Sequence, residues 1–134
     1  MLTKAYEGDA GFDLYANEDK VLVPGVMTKI RLGIAVCLPE GWCMVLCDKS
    51  GMRSKGLMVF GVVDCNYRGE VQAVVYNVGA TETNHQYRTL VQITNGDKVC
   101  QGLILPVPEV KLIEADLLPD SVRGERGFGS SGMG

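Results

Sequence analysis

Leu57-Met-Val-Phe-Gly-Val-Val-Asp-Cys-Asn-Tyr-Arg-Gly-Glu-Val-Gln-Ala-Val-Val-Tyr76 sets one carboxylate, Asp64, between two apolar runs. Both runs are rich in β-branched and aromatic residues, so the pair reads as a β-hairpin. Asn66 and Gly69 are expected to supply the backbone angles of a tight connection. An acid carried on a rigid hairpin beside Tyr67 and Arg68 is a candidate general base. The competing reading is that Asp64 ties the turn through a side-chain to main-chain hydrogen bond.

The same grammar extends in both directions. Short apolar runs alternate with turn residues among 17 glycines and 5 prolines. Strands are expected at Gly11–Ala16, Val21–Val23, Thr28–Ile34, Trp42–Asp48, Leu57–Phe60, Glu70–Asn77, Thr89–Ile93 and Val99–Pro106. No segment keeps a helical period, so the expected class is all-β, a sandwich or barrel. One helical turn is expected at Ser50–Lys55, capped by Ser50 and stopped by Gly56. Residues 78–84 are polar and read as a loop.

The chain has 134 residues, 46% of them hydrophobic, which suits a single domain with a real core. No run of about 18 apolar residues marks a membrane span, and no apolar leader opens the chain. A net charge of −3 argues against a general nucleic-acid surface. The five cysteines, at 37, 43, 47, 65 and 100, are odd in number and form no C-x-x-C. They read as reduced, mostly buried thiols in a reducing, intracellular compartment such as the cytoplasm. Cys65 adjoins Asp64 and has the chemistry of a nucleophile, but no histidine stands near it in sequence; a structural thiol is the plainer reading.

Four further segments place small residues around a few polar groups. Ala10-Gly-Phe-Asp-Leu14 presents Asp13. Asp48-Lys-Ser-Gly-Met-Arg-Ser-Lys-Gly56 gathers cations around Ser50, a set suited to phosphate. Gly96-Asp-Lys-Val-Cys-Gln101 opens a strand and carries Gln101. Arg123-Gly-Glu-Arg-Gly-Phe-Gly-Ser-Ser-Gly-Met-Gly134 holds five glycines, two arginines, two hydroxyls and one Phe. On composition alone that last segment is a frayed tail. Its contents are also those needed to wrap a phosphate and stack on a planar ring.

The order and spacing of these five segments resemble the five motifs of the homotrimeric dUTPase family (deoxyuridine 5'-triphosphate nucleotidohydrolases). GVVDCNYRGE and RGERGFGSSG are the strongest matches, and the likeness runs from Ala10 to Gly132. The compact chain and the Asp-Lys-Ser form of the second motif look more like viral or phage members. The resemblance implies a jelly-roll-like β-barrel at 1–122 and a flexible glycine-rich C-terminal arm at 123–134. It also implies a homotrimer whose sites are shared. One chain would supply the hairpin for the nucleoside and a neighbour the first, second and fourth motifs for the phosphates. The third chain would supply the arm as a lid.

By position, the resemblance makes Asp64 the base that activates water for attack at the α-phosphorus of dUTP, giving dUMP and pyrophosphate. Tyr67 would pack on the deoxyribose. The main chain around Phe60, Gly61 and Val63 would pair with uracil. Lys49, Ser50, Gly51 and Gln101 would contact phosphates. Arg123, Gly129, Ser130 and Ser131 would hold the γ-phosphate, and Phe128 would stack on the base. Mg²⁺ would be held mainly by the triphosphate, with Asp13 touching it through water.

Four features depart from the family pattern. Lys49 stands where Arg is common, Arg53 where a small residue is usual, and Gly102 where an apolar residue is common. The N-terminal strand is short or missing. A dCTP deaminase relative would need an acid on the strand after the hairpin, and Val71–Tyr76 has none. A non-catalytic binding module of this fold would be marked by an extra insertion, and none is seen.

Overall fold

The computed structural model describes residues 2–79, 90–129 and 132. Eight strands and one helical turn follow in the order β1 (Phe12–Tyr15), β2 (Lys20–Leu22), β3 (Met27–Arg31), β4 (Trp42–Cys47), α1 (Ser50–Arg53), β5 (Leu57–Val63), β6 (Gln72–Asn77), β7 (Val91–Ile93) and β8 (Lys98–Pro106). All eight fall within or against the runs expected from sequence, although Thr89 lies outside the described residues.

Six strands form one antiparallel sheet in the order β1-β8-β4-β5-β6-β3, and β2 pairs with β7. Alternation decides the inner face: Ala73 and Val75 point inward from β6, with Val71 buried just before it, as do Leu57, Val59 and Val63 from β5. They meet Leu14, Leu22, Ile30, Met44, Leu46, Ile93 and Val99 in one core. The Asn17 N–H donates to the Arg31 carbonyl at 2.8 Å, drawing the chain leaving β1 to the opposite edge of the sheet. The sheet therefore curls on itself, giving the jelly-roll-like β-barrel. Asn77, 1% exposed, donates from Nδ2 to the Leu22 carbonyl at 3.0 Å and accepts from the Gly79 N–H at 2.9 Å. Paired in this way, a buried amide ties the small sheet to the large one without a desolvation penalty left open.

Two local expectations change. Ser50 is the first helical residue and not the cap: Lys49 holds the cap position, with an extended backbone and no side-chain cap bond. Gly56 does end the turn, at φ +79°. Gly69 is not needed for a positive φ; its missing side chain makes room for the Tyr67 phenol, which any Cβ there would strike. The N-terminal strand shrinks to a single bridge, Thr3 with Asp13.

Gly102 is where the packing had looked doubtful. A Cβ at 102 would fall 2.8 Å from Met44 Sδ and 3.5 Å from Leu14 Cδ1. Met44 fills the space that a larger residue on β8 would take, and the core is closed there.

Beyond Pro106 the chain leaves the sheet. Val110, Leu112, Ile113, Leu117, Leu118, Val122 and Phe128 are all exposed. Within this arm Arg123 and Arg126 make reciprocal bonds, each Nε donating to the other's main-chain carbonyl at 2.8 and 2.9 Å.

Candidate active site

Pairing between β5 and β6 covers only the base of the hairpin, Leu57↔Asn77 to Val59↔Val75. From Phe60 onward β5 stays with β4, while Gln72 and Ala73 pair with β3. The two strands splay, and the hairpin is open-mouthed rather than tight. A cavity of about 470 Å³ lies in the gap, lined by Phe60–Asp64 on one side and by Tyr67 and Glu70–Gln72 on the other. The edge of β5 facing it has no ladder partner there, so its main-chain donors and acceptors are available to a flat polar ring.

Asp64 sits at the end of β5, exposed, where this cavity meets a second of about 740 Å³. Its carboxylate bonds to none of the described residues; the turn is closed by its main-chain carbonyl, which accepts the Tyr67 N–H at 3.1 Å. The turn-tying reading of the side chain therefore fails. The Tyr67 hydroxyl donates to the Glu70 carbonyl at 3.0 Å. Glu70 is in turn gripped by the Arg31 fork at 2.7 and 3.0 Å, which holds the Glu70 carboxyl below its usual range.

The second cluster is built by register. Asp13, Gln101, Cys47 and Phe60 lie in one row across β1, β8, β4 and β5. The row points away from the core, yet Asp13 is only 2% exposed. Its Oδ1 accepts a hydrogen bond from Lys49 Nζ, and Lys98 Nζ lies 3.2 Å from its Oδ2. The two ammoniums, Lys49 above all, hold the Asp13 carboxyl below its ordinary value despite burial. Gln101 Nε2 donates to the Asp48 carbonyl at 3.2 Å, joining the fourth motif to the loop before α1. Gly11 gives Gln101 its room, since a Cβ there would lie 2.6 Å from Gln101 Oε1. Arg53 turns its guanidinium to Asp48, so its charge faces that carboxylate first.

The first, second and fourth motifs thus come together, and the hairpin groups come together elsewhere. Asp64 lies four residues along β5 from Phe60, and Gln101 two strands across from it. At ordinary strand spacings their backbones are about 16 Å apart on a single chain. Arg123, Phe128 and Gly129 line neither cavity; Ser130 and Ser131 lie outside the described residues. Sequence reasoning missed Lys98, Arg31 and Glu70 as site residues. Their roles depend on which strands become neighbours, and no local spacing encodes that.

All five cysteines are unpaired, but they are not mostly buried as expected: Cys37 is exposed, Cys43, Cys47 and Cys65 are half-buried on strand faces and turns, and only Cys100 lies in the core, where burial pushes its thiol up to about 12. Among the described residues no helix is long and apolar enough to cross a membrane.

The family model of dUTPase matches residues 1–132. Curated relatives include the deoxyuridine 5'-triphosphate nucleotidohydrolase of Tropheryma whipplei strain Twist, 37% identical over 96% of this chain and 86% of that protein. The enzyme of the same name from Thermobifida fusca is 40% identical over 96% of this chain and 70% of that protein. Among solved structures, the dUTPase G164S mutant of Staphylococcus bacteriophage 80alpha with dUpNHpp superposes with a TM-score of 0.83 at 28% identity, covering 98% of this chain and 91% of that one. A dUTPase mutant from phage phi11 of S. aureus, described with a structural Mg(II) ion, gives 0.75 at 26% identity over 90% and 92%.

Proposed function

We propose, from the premise that this chain belongs to the dUTPase family and is a dUTP nucleotidohydrolase, that it hydrolyses dUTP by attack of water at the α-phosphorus. The observation that carries this reading is the splayed hairpin. It offers an unpaired strand edge, a tyrosine ring and an unbonded carboxylate around one cavity. Uracil pairs with the main chain of Phe60, Gly61 and Val63. Tyr67 packs on the sugar. Asp64 accepts the proton of the attacking water, and nothing in its surroundings diverts its lone pairs.

The phosphates go to Lys49, Ser50, Gly51 and Gln101 of a neighbouring subunit. The separation of about 16 Å within one chain supports a shared site. The exposed apolar run after Pro106 supports an arm that finds its cover on another subunit. There Arg123 and Ser130–Ser131 hold the γ-phosphate, and Phe128 and Gly129 close over the base. The assembly that satisfies these demands is a homotrimer.

Mg²⁺ fits this arrangement. We assign the ion to the triphosphate oxygens, since no group of three or more His, Cys, Asp and Glu that could hold a metal occurs among the described residues. The buried Asp13 Oδ2 has the Lys98 ammonium at 3.2 Å but no hydrogen bond of good geometry, so a lone pair remains that a metal-bound water would take. The ion would neutralise charge on the triphosphate when bound.

Pyrophosphate release measured against dUTP, dTTP, dCTP and UTP, with and without Mg²⁺, tests the substrate and the metal. Turnover confined to dUTP and dependent on Mg²⁺ is expected; equal rates on dTTP would refute the uracil pocket. Light scattering should give about three times the 14.5 kDa chain mass.

A further inference from the structure

Lys98 opens β8, three residues before Gln101, so strict alternation would put the two on opposite faces. The register between β1 and β8 shifts at Leu14/Tyr15: Leu14 pairs with Cys100, and Tyr15 with Lys98. Val99 and Cys100 are both fully buried, so two successive side chains point into the core. This bulge changes the phase of the strand and brings Lys98 to the face that carries Gln101 and Asp13. The result is a buried carboxylate with two cations, Lys49 on one oxygen and Lys98 on the other.

Two cations on one buried acid have a consequence for ligand binding. A single ammonium paired to Asp13 could not leave for a phosphate without stranding a charge out of water, which is strongly unfavourable. With two, one can go. Lys49 is the mobile candidate: it stands on the loop before α1, next to Ser50 and Gly51. Lys98 is fixed at the start of a strand. We propose that Lys98 is a positioning residue of the phosphate half-site, keeping Asp13 paired so that Lys49 can pass from that carboxylate to the phosphate chain.

This rests on the reading of Lys49 as a phosphate ligand, and the test separates the two. Binding of an imido-bridged dUTP analogue is measured by calorimetry on the intact chain, beside thermal melting. Lys98→Met should weaken binding about tenfold while melting stays near wild type, because Lys98 is half exposed. Lys98→Arg should bind within about twofold of wild type. In an Asp13→Asn background Lys49 has no carboxylate to hold it, so adding Lys98→Met should change nothing further. Two results would overturn the proposal: wild-type binding by Lys98→Met, or the same tenfold loss in the Asp13→Asn background, which would make Lys98 a direct phosphate contact. Wild-type binding by Lys49→Met would instead sink the underlying reading of Lys49.

Discussion

The Tyr67 ring is strapped to the return leg of its own hairpin: its hydroxyl donates to the Glu70 carbonyl at 3.0 Å, across a glycine too small to obstruct it. Glu70 is anchored to β3 by Arg31. The ring plane is therefore set by the fold itself, and in the proposed scheme it is the surface on which the deoxyribose packs.

Discrimination against a ribose should follow from that strap. Tyr67→Ala is expected to lose most of the preference for dUTP over UTP, since the 2′-hydroxyl then meets open space. Tyr67→Phe keeps the ring but loses the strap to the Glu70 carbonyl, and should fall between Tyr67→Ala and the wild type. The ratio of kcat/KM for the two substrates is the measurement; an unchanged ratio in Tyr67→Ala would remove the sugar contact from the scheme.

Asp64→Asn should abolish turnover while dUTP binding persists. The amide matches the carboxylate in shape but does not take a proton, a loss of about 10²–10⁴-fold for a general base. Since Asp64 carries no hydrogen bond of its own to the described residues, melting should be unaffected. Wild-type kcat in the variant would mean that another group activates water.

Deletion from Gly124 onward should leave a folded barrel, because the described residues of this segment are all exposed. Turnover should nonetheless fall sharply with the loss of Phe128 and the donors beside it. Melting and turnover of the truncated chain, measured together, distinguish an arm that serves the site from one that serves the fold.

The low pKa of Asp13 ties stability to acidity. Its folded value lies beneath the unfolded one, so the contribution is complete above about pH 4 and is lost as pH falls through the folded value. Urea unfolding at pH 7, 5 and 3.5 should show this acid loss in the wild type. Asp13→Asn should show a shallower dependence over the same window.

The strands were legible because their inward positions alternate within short runs bounded by glycine and proline. β6 is the clearest case, with Ala73, Val75 and Asn77 all buried. The site was legible in the residues as five segments, and their division into a hairpin and a phosphate group came only from the family resemblance. Where Asp64 and Gln101 fall relative to each other depends on β4 lying between β5 and β8, a non-local pairing that no window of sequence contains. The bulge at Val99–Cys100 was hidden for a related reason: two adjacent apolar residues look like noise in a period of two. Gly69 was misread because a turn glycine invites an explanation by backbone angle, whereas here the absent side chain is what matters.

Gly102 and Met44 behave as a matched set. The thioether occupies the volume that the glycine gives up, and Gln101 is the next residue along β8. An alanine grafted at 102 from a relative would overfill the core at a cost of about 1–3 kcal/mol, and relief by a shift of β8 would drag Gln101 away from Asp48. Chimeras of this enzyme with its relatives should therefore exchange positions 44 and 102 together. Moved singly, either residue arrives as a misfit beneath the strand that carries Gln101, and the strain should reach that side chain.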